Sequence, residues 1–194
     1  MKKMFAFFSL VFLWVYSCNF AIGYTGKWFN PRIIKTYIQP NHRYSVMMEH
    51  SFSEWDRLTG GRIRFKFVQS PNTAQIQVVF VKQIKSHDRA IGLTKSTVVG
   101  NNKKMTKAII YIAEKDRQGR TLRKDEAYTT MLHEVGHAIG LEHSSDPKSA
   151  MYYAENDIQE ISKNDLKQLK KLYGWDEYEK IYINTCTNFM FSYF

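Results

Sequence analysis

HEVGHAIGLEHSSDPKSAMYY, residues 133–153, holds three of the chain's six histidines in its first eleven positions. His133 and His137 are four apart, which on a helix puts them on one face a turn apart, so that their imidazoles can share one metal ion. Glu134 falls off that ligand line but stays close to the metal, where a carboxylate can take a proton from a metal-bound water. His143 would lie on another face if the helix simply continued. Gly140 removes the difficulty, because glycine adopts the left-handed conformation that ends a helix and turns the chain back. Three neutral imidazoles, no sulfur ligand and an open fourth position predict zinc with a nucleophilic water rather than a closed structural site. A histidine pair at this spacing is by itself more often a surface coincidence. Glu134, Gly140 and His143 at these offsets make coincidence remote.

The elements around this stretch read as strands first and helices later. Residues 32–39 (RIIKTYIQ), closed by Pro40, form a β-branched and aromatic run that predicts a strand. From 42 to 58, Tyr44, Met47, Met48, Phe52, Trp55 and Leu58 recur at steps of three and four, an amphipathic helix stopped by Gly60-Gly61. Strands are expected at 62–68, 74–81, 91–99 and 105–113, the last two joined in a hairpin at Gly100-Asn101-Asn102. The motif helix spans about 125–139, with Asp125 and Glu126 at its start and Tyr128, Leu132, Val135 and Ile139 as its apolar stripe. A last helix begins at Ser162, with Asp165 three residues on, and ends at Gly174. One helix interposed early among strands predicts an α+β fold and disfavours a doubly wound parallel sheet.

The ends carry different information. Lys2 and Lys3 precede an apolar run from Met4 to Tyr16, and Ala21-Ile22-Gly23 supplies a small-x-small site. Residues 1–23 therefore read as a secretory signal, ahead of a retained membrane anchor or a lipid on Cys18 as rivals. Each places the domain outside the cytoplasm. Two cysteines are too few for a disulfide framework, and Cys186 stands alone once Cys18 leaves. The net charge is +10, with basic residues dispersed along the chain, which reads as a solvated basic face and not a nucleic-acid motif. Residues 24–174 form the expected domain, and 175–194 an aromatic-rich tail without a dependable period.

The pattern H-E-x-x-H-x-x-G-x-x-H with a methionine downstream resembles the metzincin metallopeptidases. Ser144 after the third histidine, Ala150-Met151-Tyr152, Lys27-Trp28 and ISKNDLKQLKKLYG at 161–174 are similar specifically to the matrixins, over roughly 28–174. That resemblance implies a twisted five-stranded mixed sheet, two long helices, an active-site cleft and a small C-terminal subdomain closed by a helix. It implies His133, His137 and His143 as ligands of one catalytic zinc, Glu134 as general base and Met151 as the turn methionine beneath the metal. Ile91, Gly92, Leu93 and Thr94 become the candidate edge that binds extended peptides by strand addition, and Tyr152 and Tyr153 the wall of a side-chain pocket. The expected activity is that of a secreted or surface-attached zinc endopeptidase acting on proteins or peptides, monomeric by default. A catalytically silent peptide-binding module is the alternative.

Departures from the family pattern set further expectations. His42, His50 and His87 are too few for a structural zinc site and read as ordinary surface histidines, so one zinc is predicted and calcium is left open. A minimal domain is expected, with neither propeptide nor hemopexin-like domain. Tyr153 stands where the vertebrate enzymes have a proline, so pocket depth does not carry over.

Overall fold

The computed structural model of the chain describes residues 26–85, 90–153 and 160–175. Residues 1–23, read above as a secretory signal, with Cys18, the His87-Asp88 pair and the tail beyond Trp175 with Cys186 lie outside the described residues.

Alternation of apolar and polar residues builds the sheet. In β2 (Ile34–Ile38) Ile34 and Thr36 are buried and Lys35 is exposed, while in β4 (Ile76–Val81) Ile76, Val78 and Phe80 point inward. β1 (Lys27–Trp28), β2, β3 (Phe65–Phe67), β4 and β6 (Lys104–Ala113) run parallel to their neighbours in the order β1-β6-β4-β2-β3. Parallel pairing requires crossovers; α1 (Ser45–Leu58) makes the one between β2 and β3. β5 (Gly92–Val99) alone is antiparallel, pairing with β6 through the expected hairpin. Gly100 at φ 69° and Lys103 at φ 48° supply the left-handed residues of its turn.

The hairpin is not regular. Thr97 faces Lys107 and Val98 faces Met105, so Thr106 is an extra residue on β6. This bulge explains why the buried set on β6 slips from Met105 to Ala108, Ile110 and Ile112 instead of keeping a strict period of two.

α1 and α2 (Lys124–Ala138) pack together beneath the sheet, with Met48, Phe52, Trp55, Met131, Leu132 and Val135 fully buried between the layers. The Trp55 indole donates to the Leu132 carbonyl at 3.0 Å, tying α1 to the motif helix. α3 (Lys163–Tyr173) carries Leu169, Leu172 and Tyr173 on its buried face and ends on Gly174 at φ 71°. The mixed sheet with three helices is the α+β arrangement expected, with a two-residue strand, β1, added to the five foreseen.

The start of the first helix moved for a local reason. α1 starts at Ser45, not His42, because Asn41 turns the chain at φ 57° and the Ser45 hydroxyl donates to the Gln39 carbonyl at 2.9 Å. His42 is not a surface histidine. It stacks on Phe80 at 4.0 Å between ring centroids, and its Nε2 lies 2.6 Å from Glu114 Oε1. His50, by contrast, is exposed on α1 as expected.

Candidate active site

α2 brings His133 and His137 onto one face, and the chain past its end returns His143 to them. The return depends on Gly140, which sits at φ 103°. There its amide donates to the His137 carbonyl, while Leu141 N donates to the Gly136 carbonyl, both at 3.0 Å. A Cβ at position 140 would lie 2.0 Å from the Gly26 carbonyl oxygen, because the segment leading into β1 crosses directly over the turn. That crossing is pinned by the Trp28 indole, which donates to the Ala138 carbonyl at 2.8 Å. Tyr173 adds a hydroxyl donated to the Ile139 carbonyl at 3.0 Å. Gly140→Ala combines left-handed backbone strain with a backbone clash, so a stability loss of about 2 kcal/mol or more is expected in a denaturant titration.

The donor atoms of His133, His137 and His143 all lie within 4.8 Å of one another. Among the described residues this is the one group of three or more such side chains close enough to share an ion. His133 Nδ1 lies 2.8 Å from the Ala150 carbonyl and His137 Nδ1 2.8 Å from the Leu141 carbonyl. A carbonyl only accepts, so each Nδ1 carries the proton and each Nε2 presents a bare lone pair. Those two Nε2 atoms face each other at 3.0 Å, an arrangement that two acceptors hold comfortably only around a cation. Burial pushes the His133 imidazolium down to about 4 and, helped by the neighbouring imidazoles, that of His137 to about 3. His143, exposed at the rim, is shifted down as well by partial burial. All three are therefore neutral ligands near neutral pH. An all-imidazole set with its tautomers fixed from behind suits zinc, and the residues fit that ion.

Glu134 is 6% exposed, and its carboxyl meets Gly92 and Thr94 of β5. The Thr94 hydroxyl donates to its Oε2 at 2.6 Å. Burial raises the carboxyl to about 7, against the pull of that hydrogen bond. A carboxyl in that range exchanges protons readily at neutral pH.

Met151 is 1% exposed and lies directly under α2. A Cβ at Gly136 would come within 2.2 Å of its sulfur, so the glycine between the two histidines is what admits the methionine. The loop that carries it is closed by Ser144 N donating to the Met151 carbonyl at 2.6 Å and Tyr153 N to the Ser144 carbonyl at 3.2 Å. Tyr152 and Tyr153 follow with ring centroids 4.7 Å apart, and Tyr153 is largely exposed. Gly92, Leu93 and Thr94 begin β5 and Ile91 directly precedes it; the only strand partner of β5 among the described residues is β6, which leaves its other edge without a strand there.

Two contributors escaped sequence reasoning. Gly136 carried no mark beyond being a glycine inside a helix. Asp165 was legible only as a helix cap. It does bond Ser162 N and Oγ at 2.8 Å, yet its carboxylate also accepts from the Ser149 hydroxyl and from Ala150 N at 3.0 Å. It thereby joins α3 to the methionine loop across sixteen residues of sequence, and no local spacing announces such a partner.

A family model described as matrixin matches residues 32–174. Human matrilysin is 48% identical over 46 residues, which are 22% of this chain and 17% of that protein. Human matrix metalloproteinase-16 is 39% identical over 54 residues, 26% of this chain and 9% of that protein. Rabbit (Oryctolagus cuniculus) macrophage metalloelastase is 37% identical over 54 residues, 26% of this chain and 12% of that protein. The chain thus spans less than a fifth of the length of each of these relatives.

Proposed function

Because the chain belongs to the matrixin family, we propose that it is a zinc endopeptidase that hydrolyses peptide bonds in proteins or peptides outside the cytoplasm. His133, His137 and His143 would hold the ion, and Glu134 would move the proton. When bound, the zinc supplies Lewis acidity, polarising the scissile carbonyl and lowering the pKa of a water toward about 7. The observation that carries the reading is the pair of Nε2 lone pairs converging at 3.0 Å beside a buried carboxyl raised to about 7.

The rest of the chemistry falls to the chain. Glu134 accepts a proton as water attacks the carbonyl carbon, then returns it to the leaving amine, so no covalent enzyme intermediate is needed. The Ala150 and Leu141 carbonyls keep His133 and His137 in the liganding tautomer throughout. The open edge of β5 at Ile91, Gly92, Leu93 and Thr94 would take an extended substrate as an added strand. Tyr152 and Tyr153, just past the methionine floor, would wall the pocket for a side chain beside the scissile bond. Secretion follows from the apolar segment after Lys2 and Lys3, and a monomer is the default state.

The test uses the purified full chain and a quenched peptide library. Cleavage is expected, with loss on treatment with a zinc chelator and return on adding zinc. A chain that binds zinc yet cleaves nothing across the library would overturn the enzyme reading in favour of the silent peptide-binding module.

A further inference from the structure

We propose that Thr94 is a positioning residue for Glu134, so that β5 holds the catalytic carboxylate as well as offering its edge. The inference rests on the endopeptidase reading for its consequence, though not for its geometry. Positions 92 and 94 lie on the same side of β5, as residues two apart in a strand must. Both meet Glu134. At Gly92 a Cβ would stand 2.6 Å from Glu134 Oε1, 2.7 Å from its Cγ and 2.5 Å from the Thr130 methyl, so the bare backbone is what makes room for the carboxylate. At Thr94 the hydroxyl donates to Oε2 at 2.6 Å and lies 3.1 Å from the backbone carbonyl of the same glutamate. One strand position clears a slot, and the next on that face supplies a clasp.

The choice of threonine has a physical reason. A glutamate side chain has three rotatable bonds, and a proton-transfer group must be held near its productive place, since displacement by about 1 Å can lower the rate about a hundredfold. A β-branched residue in a strand has a restricted χ1, so its hydroxyl is itself held still. β5 is in turn fixed to β6 by the Gly92–Ile112 and Thr94–Ile110 rungs. Among the described residues Thr94 is the one side chain hydrogen-bonded to the Glu134 carboxylate, and it takes only Oε2. Oε1 is left to exchange the proton.

The test compares the zinc-loaded full chain with Thr94→Val, which keeps the shape and removes the hydroxyl, and with Thr94→Ser, which restores the hydroxyl. Thr94→Val is expected to lower kcat about 10- to 100-fold with KM within about twofold, and Thr94→Ser to recover most of that loss. Zinc content should match the wild type in both, while Tm should fall in Thr94→Val, which leaves the buried carboxyl without its hydroxyl donor, and recover in Thr94→Ser. An unchanged kcat in Thr94→Val, a loss that Ser does not recover, or a rise confined to KM would overturn the assignment. Thr94→Ala serves the same comparison if Val disturbs folding. Crystal structures supply a readout independent of turnover: the Glu134 carboxylate should leave its place in Thr94→Val and keep it in Thr94→Ser. A carboxylate that stays put in Thr94→Val overturns the proposal even in an inactive protein, whereas failure of the wild type to cleave any peptide counts against the endopeptidase reading alone.

Discussion

Glu134→Gln is expected to lower kcat by about 10²- to 10⁴-fold, the range spanned by removal of a positioned general base, while zinc content and Tm stay at wild-type values. Glutamine matches the glutamate in shape, and its amide oxygen can accept the Thr94 hydroxyl that now reaches Oε2 at 2.6 Å. What it cannot do is take a proton. The wild-type carboxyl, raised by burial to about 7, can both accept and release one near neutral pH. The measurement is steady-state hydrolysis of a quenched peptide alongside metal analysis. Retained turnover in Glu134→Gln would remove the proposed base from the mechanism, and lost zinc would recast the glutamate as part of the metal site.

Asp165→Ala is expected to lower stability by roughly 3 kcal/mol, or about 6–12 °C in Tm, and to weaken zinc binding about 10- to 100-fold. The carboxylate is 1% exposed and accepts from Ser162, Ser149 and Ala150. Its removal strands several buried donors at once, and such groups are costly when unpaired. The effect on zinc follows a short path. Ala150 gives its amide to Asp165 and its carbonyl to His133 Nδ1, so one peptide unit links the carboxylate to the imidazole. Thermal melts with and without zinc, together with a competition titration, separate the two effects. A variant that melts lower but binds zinc as tightly as wild type would show that the path carries packing and nothing else.

Much of the local architecture was legible in advance because it depends on short-range patterns. The β-branched and aromatic run of β2, the spacing of four between His133 and His137, the Ser162–Asp165 cap and the stop at Gly140 all express constraints acting within a few residues. The histidine motif went further, since its offsets only make sense around one ion. The misjudged features share the opposite character. His42 read as a surface residue because nothing near it in sequence reveals Phe80 in β4 or Glu114 just past the end of β6. The bulge at Thr106 was hidden because a slipped register is a property of a strand pair and not of one strand.

The sequence by itself determined that this chain would form an α+β domain with three imidazoles on a helix and its turn, beside a carboxylate. That much follows from residue type and spacing, because a metal's coordination geometry and a helix's pitch are both fixed quantities. Only the tertiary structure decided how those groups are held. Carbonyls from Ala150 and Leu141 set the imidazole tautomers. Gly136 admits Met151, and the Gly26 backbone forbids a side chain at position 140. Thr94, forty residues before Glu134, supplies its hydroxyl. All of these but the His137–Leu141 bond, which is local to the turn, join segments distant in sequence. Their formation depends on how the sheet, the two long helices and the final helix pack, and no local pattern encodes that.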